Sequence, residues 1–121
     1  MTLYFYLLLV KHAIADLWLQ SRFNNKPKYG EKEQLLKLKL WLHSLDHAGL
    51  TALVTLIFAG IYWALIIALL DFVLHSIIDY TKRIYTLKSK ITQNQNKFWK
   101  VQAIDQIAHF SCYMLYVLMV Y

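Results

Sequence analysis

The sequence is poor in the residues that staple or punctuate a small soluble domain. It has one cysteine, Cys112, set in an apolar stretch. One thiol makes no intrachain disulfide and no thiolate zinc site, so Cys112 reads as a small core or lipid-facing residue. The only proline, Pro27, falls between apolar segments and leaves their interiors free of helix breakers. Acidic residues are scarce, seven against thirteen lysines and arginines, which leaves a net charge of +6. The N-terminal run MTLYFYLLLV lacks a basic leader, and Lys11, His12 and Asp16 stand where a small-residue cleavage site would lie. It is therefore expected to be a retained first span rather than a cleaved signal. Neither a solenoid-period repeat nor a low-complexity tract is present.

What is abundant is apolar surface. The 121 residues are 59% hydrophobic, with a mean hydropathy of +0.38. A single soluble domain of this size could not hide so much of it, whereas in a membrane protein lipid is the solvent. Four apolar segments cover about 2–20, 40–59, 61–80 and 99–121, each close to the ~20 residues that cross a bilayer as a helix. With their polar extensions they predict helices over about 2–20, 34–59, 61–85 and 97–121. The expected fold class is all-α, one integral membrane domain built as a four-transmembrane-helix bundle. Gly60 separates the second segment from the third in a tight hairpin.

The charges orient the bundle. The first loop and the run after it hold Arg22, Lys26, Lys28, Lys32, Lys37 and Lys39. The connection before the last helix holds Lys82, Arg83, Lys88, Lys90, Lys97 and Lys100, while the hairpin at Gly60 carries no charge. The positive-inside rule puts both basic loops in the cytoplasm and both termini outside, as in a multi-pass protein of the inner membrane. The basic surplus reads as this bias and not as a nucleic-acid surface. Trp18, Trp41 and Trp99 fall near the inner boundary, and Tyr4, Tyr62, Trp63 and Tyr121 near the outer one, as in an aromatic belt. The run EKEQLLKLKLW has two readings: an in-plane amphipathic lead-in, or a solvated extension of the second helix.

All five histidines (His12, His43, His47, His75 and His109) and all five aspartates (Asp16, Asp46, Asp71, Asp79 and Asp105) lie within the apolar segments. A charge at the bilayer centre costs about 2.5–3.5 kcal/mol even on the lenient insertion scale, so these residues are expected to face inward, paired or metal-bound. Their spacing agrees. His12, Asp16 and Gln20 step by four along one helix, as do His43 and His47, then Asp71, His75 and Asp79, then Asp105 and His109. Residues four apart share a helix face. Under the topology drawn from the lysines, the four stripes fall in one layer of the cytoplasmic half.

Imidazole with carboxylate is the ligand set of zinc, manganese or iron. Inward-facing pairs on several helices can build such a centre in a bundle core. The expected metal ligands are His12, Asp16, His43, His47, His75, Asp79, Asp105 and His109, around a divalent ion, zinc or manganese. Asp79, Asp105 and Asp16 are the candidate catalytic carboxylates. Gln20, Asp46, Asp71, Lys82 and Gln106 are expected to meet substrate or support the ligands. Lys82 and Arg83 have two readings, a membrane-edge anchor or cations aimed at a phosphate. Lys11 either pairs with an aspartate or snorkels.

The expected function is a metal-dependent hydrolase acting on a lipid or a membrane-associated phosphoester at the cytoplasmic leaflet. The chief alternative is a proton or divalent-cation transporter or channel. Against a pore, the outer half offers only Thr2, the tyrosines and Thr51 or Thr55. A third alternative is a non-catalytic phage or bacterial protein that interacts with envelope components. The small size of the bundle makes a homodimer a further expectation.

The pattern resembles an uncharacterised bacterial and phage integral-membrane family, a domain of unknown function. That family's first helix carries His-x3-Asp with a glutamine four residues on, matched by His12, Asp16 and Gln20. A histidine pair follows, matched by His43 and His47, then His-x3-Asp-x2-Lys, matched by His75, Asp79 and Lys82. It closes with Asp-Gln-x2-His, matched by Asp105, Gln106 and His109. The resemblance runs over nearly the whole chain and leaves out Asp46 and Asp71. It implies a membrane protein with no established activity. A looser similarity to membrane-bound metal-dependent hydrolases of bacteria, confined to His/Asp-rich helices, implies hydrolysis of a lipid or phosphoester.

Overall fold

The computed structural model of the chain describes residues 1–19 and 33–121, with side chains of the second stretch described from residue 37. Helix α1, Thr2–Ala13, runs on into a π-helical turn, Ile14–Leu19. Helix α2 spans Glu33–Lys88 and α3 spans Asn96–Val120. Among the described residues the fold is all-helical and has no strand.

The element count differs from the expected four helices. Three helices are long and apolar enough to cross a membrane, Thr2–Leu19, Lys37–Lys88 and Asn96–Val120. The break expected between the second and third segments is a kink inside α2, at Gly60 (φ 77°, ψ 178°). That positive φ suits glycine and would strain a residue with a Cβ. No atom stands within 4 Å of where that Cβ would be, so the requirement for glycine is one of backbone conformation and not of space.

The kink reverses the chain. In a straight helix Thr51 and Asp71 would lie about 30 Å apart at 1.5 Å per residue. Instead, Thr51 Oγ1 donates a hydrogen bond of 2.6 Å to Asp71. His47 stacks on His75 with ring centroids 3.7 Å apart, and His43 Nε2 lies 3.7 Å from Asp79. The two arms of α2 therefore lie side by side, antiparallel, and α1 and α3 pack against them.

The polarity of the fold is inverted relative to a soluble bundle. Among the described residues, twelve buried side chains are polar or charged and eleven are hydrophobic. Conversely, Ile57, Leu65, Leu69 and Leu118 are each about two-thirds exposed or more. Apolar outside and polar inside is the arrangement that lipid as solvent selects. An apolar and aromatic cluster of Tyr4, Leu8, Ile67, Tyr113, Tyr116 and Val117 fills the bundle at the end nearer Gly60. The other buried side chains include Lys11, all five histidines, Asp71, Asp79 and Asp105.

Candidate metal centre

The four-residue steps work as expected on each arm: His43 and His47 on the first half of α2, Asp71, His75 and Asp79 on the second, and Asp105 and His109 on α3 are all buried. On α1 the stripe is completed differently. The π-helical turn changes the helical phase after Ala13, and Asp16, its single acidic residue, is only partly buried. π-turns of this kind recur at functional sites.

These elements bring all five histidines into one cluster. His75 is sandwiched between His47 (3.7 Å, interplanar angle 27°) and His109 (4.1 Å, 28°). His12 lies 5.0 Å from His47 and 5.1 Å from His109, and His43 lies 4.6 Å from His47, centroid to centroid. Two carboxylates face the rings. Asp16 Oδ1 is 3.0 Å from His47 Nε2 and 3.3 Å from His43 Nε2, while its Oδ2 is 3.1 Å from His12 Nε2. Asp79 Oδ1 is 3.2 Å from His109 Nε2, and its Oδ2 is 3.3 Å from His75 Nε2.

Two sets of ligand atoms converge within 4.8 Å: Asp16, His43, His47 and His75, and His75, Asp79 and His109. Ligands on one tetrahedral zinc at ~2.0–2.1 Å sit about 3.4 Å from each other. The Asp16–His43, Asp16–His47, Asp79–His75 and Asp79–His109 pairs already have that spacing. The first set offers three histidines and a carboxylate, the second the two-histidine, one-carboxylate pattern of open catalytic sites. The residues present therefore fit a divalent cation. His75 belongs to both sets, and it is the ring whose polar atoms are left over. It is buried, neither ring nitrogen makes a hydrogen bond, and the 3.3 Å approach to Asp79 is not aligned for one.

Other expected site residues stand apart from these sets. His12 is engaged at both nitrogens, Nδ1 2.7 Å from Tyr113 Oη and Nε2 3.2 Å from Gln106 Oε1. Asp105 Oδ2 accepts from Lys82 Nζ at 2.9 Å and from Gln106 Nε2 at 3.3 Å. Its Oδ1 makes no hydrogen bond and lies 3.6 Å from His109 Nε2. Lys82 also lies 3.9 Å from Asp79, so it reaches the centre from the basic end of α2. Asp46 is half-buried and belongs to neither set. Gln20 lies outside the described residues, as does the first loop with its cations.

Asp71 and Lys11 form a second polar unit, joined to the histidine cluster through Lys11 and His47. Asp71 accepts from Lys11 Nζ (2.9 Å), Thr51 Oγ1 (2.6 Å) and Tyr116 Oη (3.0 Å), and both ion-pair side chains are 2% exposed. Of the two readings open for Lys11, the pairing with an aspartate is the one realised. Lys11 Nζ also approaches His47 Nδ1 at 3.4 Å and lies 4.5 Å from the Tyr113 ring centre. Beyond this unit, Tyr4 Oη and Thr55 Oγ1 are 2.9 Å apart.

Tyr113, Tyr116 and Thr51 were not among the expected site residues, yet their hydroxyls hold His12 and Asp71. The signal was the same period carried further: 43, 47, 51 and 55 on α2, and 105, 109, 113 and 117 on α3, with Tyr116 three residues after Tyr113.

Comparison with known proteins agrees with the resemblance drawn from the motifs. No curated protein and no solved structure matches the chain, so the looser likeness to membrane hydrolases finds no counterpart there. One family model does match, over residues 4–121, which takes in every helix and all ten histidines and aspartates. The chain belongs to that family, described as protein of unknown function (DUF3307).

Proposed function

We propose that this chain is an integral membrane protein with a divalent-metal centre inside its helical bundle, and that the centre hydrolyses a lipid or membrane-associated phosphoester at the cytoplasmic leaflet. His75 carries this reading. A buried polar group without a hydrogen bond costs roughly 1–3 kcal/mol, and here two nitrogens of one ring bear that cost at the point where two ligand sets meet. Coordination through one ring nitrogen would relieve that nitrogen, and His75 is the residue common to both ligand sets.

In this reading the two arms of α2 cross the membrane separately, so the chain makes four crossings with both termini outside. The basic ends of α2 and α3 then lie in the cytoplasm. Trp18, Trp41 and Trp99, all more than half exposed, occupy the inner boundary. Zinc or manganese suits the donor set. Such an ion supplies an activated water and polarises a phosphoryl oxygen. Around it, the chain provides Asp105, whose Oδ1 accepts no hydrogen bond, and Lys82, which lies 3.9 Å from Asp79 and 2.9 Å from Asp105 and holds the two carboxylates beside the centre.

Metal analysis of the purified full chain tests the reading. One or more equivalents of a divalent metal, lost in His75→Ala and Asp79→Ala, is the expected result. Substoichiometric metal unchanged by either substitution would refute it.

A second reading, a proton or cation conduit, draws on the polar column from the histidine cluster through Lys11 and Asp71 to Tyr4 and Thr55. Two features weigh against it. The ion pair occupies the column, and the Tyr4, Leu8, Ile67 and Val117 cluster closes its far end. Flux across liposomes that disappears in Asp71→Asn would favour the conduit over the hydrolase.

A further inference from the structure

The second arm of α2 and the start of α3 diverge around a groove of about 580 Å³. It is lined by apolar residues that include Ile77, Val101 and Ile104, by Lys82, Lys97 and Lys100, and by the Asp105 carboxylate that Lys82 pairs. Ile77 and Ile104 are each more than half exposed, so the groove opens sideways on the apolar exterior and not into the bundle. Lys82 is committed to Asp105 at 2.9 Å. Lys97 lies over the Tyr85 ring at 5.5 Å, and among the described residues no carboxylate pairs with Lys97 or Lys100. Two cations one turn apart at the foot of an apolar slot match a molecule with a phosphate at one end and hydrocarbon at the other. A free anion would gain nothing from the walls, and a neutral or zwitterionic lipid would gain little from the lysines.

We propose that this groove is a binding site for a single anionic phospholipid, with its phosphate between Lys97 and Lys100 and an acyl chain along Ile77, Val101 and Ile104. The phosphate then sits about 10 Å along α3 from Asp105, at 1.5 Å per residue from the midpoint of Lys97 and Lys100. Lys82 spans from the groove to the histidine–aspartate centre. The site goes beyond the metal reading and stands without it, because Lys97 and Lys100 belong to neither ligand set.

Native mass spectrometry of the detergent-solubilised full chain tests the site, using phosphatidylglycerol and phosphatidylcholine with identical acyl chains. Each lysine near an anionic headgroup is worth about fivefold in affinity, so the wild type is expected to retain phosphatidylglycerol by roughly twentyfold or more over phosphatidylcholine. Lys97→Gln/Lys100→Gln should abolish that preference while eluting as wild type on size exclusion. Lys88→Gln/Lys90→Gln, on the same basic end but outside the groove, should keep it. His75→Ala should keep it too, which separates failure of this site from failure of the metal centre. The inference is overturned if the Lys97/Lys100 variant keeps the preference. It is equally overturned if the Lys88/Lys90 variant loses as much, or if millimolar inorganic phosphate displaces the lipid.

Discussion

Two buried polar regions share one bundle and differ in how well their atoms are satisfied. Around Asp71, three donors converge on one carboxylate, and Lys11 is neutralised at 2.9 Å. One or two helical turns away, His43 Nδ1, both nitrogens of His75 and Asp105 Oδ1 make no hydrogen bond, and neither does the nearby Ser76 Oγ. Both regions carry the desolvation cost of polar groups among apolar helices. The first is closed by the protein's own donors. The second is short of partners at several atoms, and two of them belong to His75, the residue shared by the two sets of metal-ligand atoms. Buried polar groups in native proteins are normally satisfied, so the contrast supports the proposed metal centre.

The largest expected effect comes from breaking the closed region. Lys11→Met or Asp71→Leu alone leaves an uncompensated buried charge and should destabilise the detergent-solubilised protein by about 3–5 kcal/mol. The double substitution should recover most of that loss. Unfolding titrations of the three variants measure it, and equal loss in the double variant would mean the region is more than a structural pair.

Next in size is the open region. His75→Ala should weaken divalent-metal binding by more than the roughly 10–100-fold typical of losing a partner behind a ligand. His47→Ala should affect the Asp16 set alone, and His109→Ala the Asp79 set alone. Isothermal titration with zinc or manganese reads all three. In chelator, by contrast, His75→Leu should melt no lower than wild type, since it removes polar atoms that have no partner. A large loss of stability there would show that His75 is already satisfied in the metal-free protein.

Smaller effects lie at the boundary. Tyr113→Phe removes the hydroxyl 2.7 Å from His12 Nδ1, a ring in neither ligand set, and should cost about 1 kcal/mol of stability without changing metal stoichiometry. Smallest is Tyr4→Phe, which deletes the Thr55 contact far from the histidines. It should cost about 0.6 kcal/mol, the average for a hydrogen bond between membrane helices, and leave metal binding unaltered.

Much of this arrangement was legible in the sequence. The four-residue steps of histidine and aspartate specify faces, and faces specify which residues meet once the helices pack. The helical class and the turning point at Gly60 followed from apolar run lengths and glycine placement. What stayed hidden depends on local geometry that residue spacing does not carry. The π-helical turn at Ile14–Leu19 shifts the phase of Asp16, and no breaker residue announces it. Lys11 precedes His12 by one position, yet both are buried, because α1 is enclosed widely enough for adjacent residues to reach different neighbours. Asp105 shares the stripe of His109 but is drawn off by Lys82, a pairing across elements that helix periodicity cannot foresee. The two arms of α2 were expected as separate helices, and the non-helical backbone at Gly60 is the break between them.

The most direct measurement is X-ray absorption at the edge of the metal that co-purifies with the full chain. The account predicts a nitrogen and oxygen first shell at about 2.0–2.2 Å with the multiple-scattering signature of at least two imidazoles, weakened in His75→Ala. A hydrated ion with no imidazole signature, or a spectrum identical in His75→Ala, would contradict it.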